Sequence, residues 1–292
     1  MKSSFLFLSI LMMSSAASQT LDQARAEIEK LIHATPGTFA VAAEDLSTGK
    51  QLLLNERETF HAASTMKTPV MIEVFKQARE GPLHLDDSVI VRNEFRSIVD
   101  GSRYSLDLGD DSDDSIYRRI GQKASVRELV EHMITLSSNL ATNILIGLVN
   151  PDRVTATMRE LGADSIRVLR GVEDSKAFQQ GLNNTTTALD LLMVMKAIAN
   201  GQAVDSSTSA EMVRILLNQK FNDKIPALLP KGVRVAHKTG NITGVEHDSG
   251  IVFLPDGRSY VIVTLSKDLP NAEQGKRVLA EISRIVYNAL SR

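Results

Sequence analysis

Ser64 and Lys67 stand three residues apart in His61-Ala-Ala-Ser-Thr-Met-Lys-Thr-Pro-Val70. Apolar Met66, Val70, Ile72, Val74 and Phe75 follow at roughly helical spacing, which predicts a mostly buried helix beginning near Ser64. Positions three apart share a helical face, so the Lys67 amine can reach the Ser64 hydroxyl. A serine hydroxyl is a weak nucleophile until a neighbouring base takes its proton. A lysine can be that base when desolvation or nearby positive charge favours its neutral form. The buried start of a helix offers such an environment, and its free N–H groups can bind a developing oxyanion. Alone, the pattern is weak: it arises about once by chance in a chain of this length at average usage. It also fits a helix N-cap serine followed by a solvated lysine.

Company further along changes its meaning. Ser137-Ser-Asn139 lies between two helical stretches, Lys238-Thr-Gly240 follows a strand, and Glu173 lies in the irregular stretch 170–184. Acyl transfer needs a nucleophile, a proton shuttle, an oxyanion hole and a grip on the substrate, and these residue types can supply them. S-x-x-K, then a serine and asparagine two apart, then K-T-G is the ordered motif set of class A β-lactamases and penicillin-binding proteins. The sequence therefore resembles a class A serine β-lactamase over nearly its whole length.

The resemblance implies a role for each residue. Ser64 attacks the lactam carbonyl and Lys67 is a candidate base. Ser137 relays a proton to the leaving nitrogen, with Lys238 nearby. Asn139 holds the substrate side-chain amide, and Lys238 and Thr239 bind its carboxylate. Gly240 lets substrate approach the strand closely, and the N–H groups of Ser64 and Asn241 form the oxyanion hole. Glu173, 36 residues beyond Ser137, stands at the family's spacing for the carboxylate that activates the deacylating water; Asp174 is a weaker substitute. There are departures. Ser138 replaces the family's usual aspartate, Ala177 an asparagine that helps hold the water, and Asn184 an aspartate that closes a loop, which is slightly short here. Ala63 excludes the disulfide found there in some carbapenem-hydrolysing relatives. No G-x-S-x-G elbow surrounds Ser64, which argues against a triad with His247. The His247-Asp248 pair is read as shaping the strand or pocket, and His61 and His132 as packing or surface residues.

Which elements must position these groups? Leu21–His33 reads as an amphipathic helix, 39–45 and 51–54 as a hairpin around the turn 47–50, and 89–91 as a short strand. Helices are expected at 126–136, 137–146, 154–161, 185–198 and 207–217. Strands follow at 234–238, 250–254 and 260–265, and a closing helix at 271–291. The acidic run 107–114 reads as an exposed loop without the ligand spacing of an EF-hand. Strands at both ends around a helical block, about 64–220, predict an α+β fold with one antiparallel sheet.

Residues 1–18 carry a charged start, a short apolar run and small residues, the pattern of a secretory signal peptide. The run is too short to span a bilayer, and with no cysteine there is no lipid attachment at the cleavage site. Residues 19–292 then form one catalytic domain, expected to be a secreted or periplasmic monomer without stable membrane insertion. A formal net charge of −2 leaves no footprint for nucleic acid. Zero cysteines exclude disulfides and thiolate chemistry. No metal or other cofactor is implied: H-E-x-x-H, G-x-G-x-x-G and P-loop patterns are absent. The competing readings are a D-alanyl-D-alanine carboxypeptidase with the same acylation machinery and a penicillin-binding sensor. The first differs in whether Glu173 activates water. The second is disfavoured by the complete acylation set.

Overall fold

The computed structural model describes residues 20–291; the predicted signal segment lies outside the described residues. The strands are β1 (Thr38–Asp45), β2 (Gln51–Leu54), β3 (Phe60–His61), β4 (Ser88–Ile90), β5 (Phe95–Arg96), β6 (Arg103–Tyr104), β7 (Lys123–Ser125), β8 (Thr185–Thr186), β9 (Arg234–Ile242), β10 (Val245–Phe253) and β11 (Ser259–Lys267). The helices are α1 (Leu21–His33), α2 (Lys67–Glu80), α3 (Val126–Thr135), α4 (Asn139–Val149), α5 (Pro151–Glu160), α6 (Ser175–Gln179), α7 (Ala188–Ala199), α8 (Ser206–Leu216) and α9 (Ala272–Leu290). One antiparallel sheet runs β2-β1-β11-β10-β9, so strands from both ends of the chain interleave. The α+β class expected from the sequence is the one observed.

Both faces of this sheet are covered, which explains why β1 is an almost unbroken apolar run. Ala40 and Ala42 face a core shared with α2, α3, α4 and α7. Phe39, Val41 and Ala43 face the opposite core, formed with α1 and α9. Within the helical block α2 is enclosed nearly all round: Val70, Met71, Ile72, Val74 and Phe75 are buried, and so are Lys67 and Glu73. Gly81 ends it in the left-handed region, at φ 97°, which glycine adopts without a Cβ clash.

The expected start of α7 moves. Thr185 and Thr186 do not open α7; they pair as β8 with β3, and Thr187 caps the helix by accepting from the Asp190 N–H. Their branched side chains suit a strand. Nor is the acidic run a purely solvated loop. Asp113 is buried, bonded to Ser115 and paired with His132 of α3 at 2.6 Å. That pairing raises the His132 pKa and gives His132 a partner beyond the packing role expected of it.

Candidate active site

The helix carrying Ser64 and Lys67 begins as a 3-10 turn, Ala63–Met66, that passes into α2. β9 lies against this turn. A Cβ at Gly240 would sit 3.0 Å from the Thr65 nitrogen and 3.1 Å from the Ser64 nitrogen. The glycine thus serves the close approach of the Ser64 and Thr65 backbone. On the next strand, His247 stands opposite Gly240 and Asp248 opposite Thr239. Adjacent residues of a strand point to opposite faces, so the pair separates. The His247 Nε2 donates to the His61 carbonyl at 2.9 Å, tying β10 to the segment that leads into the turn. Burial pushes His247 down to about 4, so the ring is neutral. Asp248 instead pairs with His237, at 2.9 Å and 3.0 Å from its two oxygens, and accepts from the Ile225 N–H.

Lys67 is fully buried and points across the cleft to the start of α4. Its Nζ donates to the Ser137 carbonyl at 2.7 Å, to the Ser137 hydroxyl at 3.2 Å and to Asn139 Oδ1 at 2.8 Å. The Ser64 hydroxyl is not among those partners, although the helical spacing allows it. Lys238 Nζ donates to the same Ser137 hydroxyl at 3.0 Å and to the Thr239 carbonyl at 2.7 Å. Burial lowers Lys67 to about 7, opposed by the charges of Asp111 and Glu173. Burial, and then the charge of Lys67, hold Lys238 well below the ordinary lysine range.

Glu173 completes the chain of contacts. Asn139 Nδ2 donates to Glu173 Oε1 at 2.8 Å. Burial raises the Glu173 pKa against that hydrogen bond. Ala177, where the resemblance implies a water-holding asparagine, is a buried methyl in α6; the side-chain amide that reaches Glu173 here belongs to Asn139. The loop is closed at its neck by paired backbone bonds between Arg167 and Thr185, each 3.0 Å. Asn184 accepts from the Leu169 and Arg170 N–H groups and donates to the Arg170 carbonyl. An amide that both donates and accepts thus stands at the position where the resemblance implies an aspartate.

Sequence reading missed Asn143, which grips the residue before Glu173: it accepts from the Val172 N–H at 2.7 Å and donates to the Val172 carbonyl at 3.0 Å. Gly171 leaves room for it, since a Cβ there would lie 2.4 Å from Asn143 Oδ1. One i, i+4 step separates Asn139 from Asn143 on α4, a spacing that could have pointed to a shared face. Three non-glycine residues at the site have positive φ: Ala63 at 45°, Ser137 at 57° and Glu173 at 62°. Such conformations cost on the order of 1–3 kcal/mol each and cluster where geometry is over-determined by function.

Ser64, Asn139, Glu173 and Asn241 line one cleft of about 520 Å³, with Asp107 and Asp110 on its rim. Lys67, Lys238 and Thr239 are buried behind it. Among the described residues no cluster of His, Asp or Glu is arranged to hold a metal.

Comparison with known proteins agrees with this arrangement. The sequence profile described as "Beta-lactamase enzyme family" matches residues 23–290. β-Lactamase AST-1 of Nocardia asteroides is 30% identical, with 95% of this chain and 86% of that protein aligned. β-Lactamase L2 of Stenotrophomonas maltophilia is 27% identical, with 93% and 88% aligned. Among solved structures, a β-lactamase from Sphaerobacter thermophilus DSM 20745 superposes with a TM-score of 0.77 at 26% identity, covering 92% of this chain and 95% of that one. PBP-A superposes at 0.80 and 27% identity, covering 93% and 97%. The chain belongs to the β-lactamase enzyme family, in its class A serine branch.

Proposed function

We propose that the protein opens the ring of penicillin- and cephalosporin-type β-lactams through a Ser64 acyl-enzyme that water then hydrolyses. The observation that carries this reading is the unbroken polar chain Glu173–Asn139–Lys67–Ser137–Lys238 beside Ser64. In the first half-reaction Ser64 Oγ bonds to the lactam carbonyl carbon, and Lys67 or a water held by Glu173 takes its proton. The N–H groups of Ser64 and Asn241 receive the oxyanion. The C–N bond breaks and Ser137 passes a proton to the nitrogen, regaining one from the base that deprotonated Ser64, directly from Lys67 or through it. Lys238 and Thr239 hold the substrate carboxylate. In the second half-reaction Glu173 takes a proton from water, the hydroxide adds to the ester carbonyl, the bond to Ser64 Oγ breaks, and the proton returns from Glu173 to Ser64 Oγ.

A point mutant of PBP-A has been solved as an acyl-enzyme complex with penicillin G, so a penicillin adduct forms on a fold like this one. A D-alanyl-D-alanine peptidase would share the acylation half; the contact of Glu173 with Asn139 favours the lactamase. The signal-like start supports export to the periplasm or medium. Among the described residues no helix is long and apolar enough to cross a membrane. Action as a monomer is part of the same proposal.

Mass spectrometry of the protein mixed with a penicillin tests both halves. Wild type should show a transient adduct on Ser64, and Ser64→Ala none. Glu173→Gln should form the adduct and keep it, because a positioned general base contributes on the order of 10²–10⁴-fold. A long-lived adduct on the wild-type protein would favour the peptidase.

A further inference from the structure

Asp111 comes from the acidic run, outside every motif the resemblance uses. Its Oδ2 accepts from the backbone N–H of Asn139 and from that of Leu140, each at 2.9 Å. These are the first two N–H groups of α4, which have no partner within the helix. The helix already has its own cap, for Ser138 Oγ accepts from the Ala141 N–H. Asp111 therefore adds a carboxylate where the positive end of the helix dipole meets the site. It also holds the residue whose side chain bridges Lys67 and Glu173.

The segment bearing Asp111 is anchored on both sides. Upstream, Asn93 exchanges two hydrogen bonds with the Leu106 backbone. Downstream, Asp113 is buried against His132, and Ile116 lies in the core. Ser138 replaces an aspartate that the resemblance leads one to expect; a carboxylate reaches the same helix end from elsewhere in the chain.

We propose that Asp111 is a positioning residue of the active site: it clamps the backbone of Asn139 so that the amide stays between Lys67 and Glu173, and its negative charge acts on that pair. This deepens the reading above and rests on it for its catalytic part. The direction of the charge effect is defined. Lys67 faces Asp111, Glu173 and Lys238; Glu173 faces Asp107, Asp110, Asp111 and the Tyr104 and Tyr117 hydroxyls, and Asp111 itself faces the Tyr117 hydroxyl. The Asp111 charge favours the protonated form of Lys67 and of Glu173 alike. Removing it makes both deprotonate at lower pH.

The test compares Asp111→Asn with wild type and with Asp114→Asn, an exposed carboxylate of the same run that pairs with Arg118. Three quantities are read: melting temperature, the pH profile of Ser64 adduct formation and decay, and the lysine titration by NMR of side-chain-labelled protein. Asp111→Asn should melt near wild type and slow adduct turnover ~10-fold or more, since small misplacements of a catalytic group carry such penalties. The acid limb of the profile and the Lys67 titration should both move to lower pH by roughly half a unit or more. Asp114→Asn should do neither. The proposal is overturned by an unmoved Lys67 titration, by an equal shift in Asp114→Asn, or by a uniform loss that tracks lower melting. An Asp111→Asn protein that does not fold overturns it too, because the role would then be structural. The NMR readout decides even if wild type forms no Ser64 adduct, a result that would sink the acylation reading instead.

Discussion

At the residue scale two candidate bases of the site, Lys67 and Glu173, are displaced from their ordinary protonation ranges, as is Lys238. Lys67 is brought down to about 7 by burial, and burial raises Glu173 toward it. Each acts as a base only when deprotonated. Activity should therefore fall as pH drops through their folded-state values, and kcat/KM for a penicillin should climb through the neutral range. A limb at the ordinary glutamate value of about 4.3 would remove Lys67 and a raised Glu173 from the rate law. Gly240 yields a second prediction. Its missing Cβ is occupied by the backbone of Ser64 and Thr65, so Gly240→Ala must displace the nucleophile turn by a few tenths of an ångström. We expect a loss of kcat of ~10-fold or more with little change in stability. Wild-type kcat in this variant would show that the turn yields without consequence.

At the element scale the loop between Arg167 and Thr185 is held by side-chain amides together with charged groups: the Arg170 guanidinium donates to the Leu182 and Gly171 carbonyls, and Asp174 accepts from the Ser97 hydroxyl and the Ile98 N–H. Asn184 secures its neck and Asn143 of α4 secures Val172 beside Glu173. Asn143 is buried, and replacing it with alanine leaves the Val172 backbone groups without those partners. That costs roughly 1–3 kcal/mol, and the positive φ of Glu173 loses one of its neighbouring restraints, the Tyr104 hydroxyl still donating to the Val172 carbonyl. Asn143→Ala should slow adduct decay more than adduct formation, because Glu173, the proposed deacylating base, sits on the released segment while Ser64 and Lys67 sit on α2 and its preceding turn. Rapid-quench mass spectrometry separates the two rates; equal slowing of both would place the effect in α4 as a whole.

At the scale of the molecule the sheet carries a buried ion pair behind the site. Lys224 Nζ lies 2.9 Å from Glu246 of β10, and both side chains are almost inaccessible. Such a pair contributes little net stability when intact, but removing one partner of a buried pair costs up to ~3–5 kcal/mol when nothing replaces it. Without Glu246, Lys224 keeps among the described residues only Asp223, at 3.5 Å and half exposed. Glu246→Ala should therefore lower Tm by several degrees in a domain of this size, measured by thermal melting; an unchanged Tm would mean that Asp223 compensates Lys224 fully. Export provides a separate check. Cleavage after Ala17 or Ser18 would leave Thr20 in place to cap α1, where Thr20 and Gln23 exchange hydrogen bonds. N-terminal sequencing of exported protein should therefore begin at residue 18 or 19, and a start beyond Thr20 would contradict the signal segment as read.

Sequence alone determined what is local or periodic. Ser64 and Lys67 share a helical face through a three-residue spacing. The apolar runs of β1, β10 and β11 at the two ends of the chain and the apolar stripes of the helices between them set the α+β class. The ordered motifs determined the family. Tertiary structure decided which partners meet. Lys67 bonds to Ser137 and Asn139, not to Ser64, because α4 begins across the cleft from α2. His247 and Asp248, neighbours in the chain, part company because a strand sends them to opposite faces. Asp111 and Asn143 carry no motif, since their role depends on which helix end or backbone segment is packed against them. Contacts between residues tens of positions apart leave no spacing to read. They arise only once the core has brought α2, α4, β9 and the 167–185 loop around one cleft.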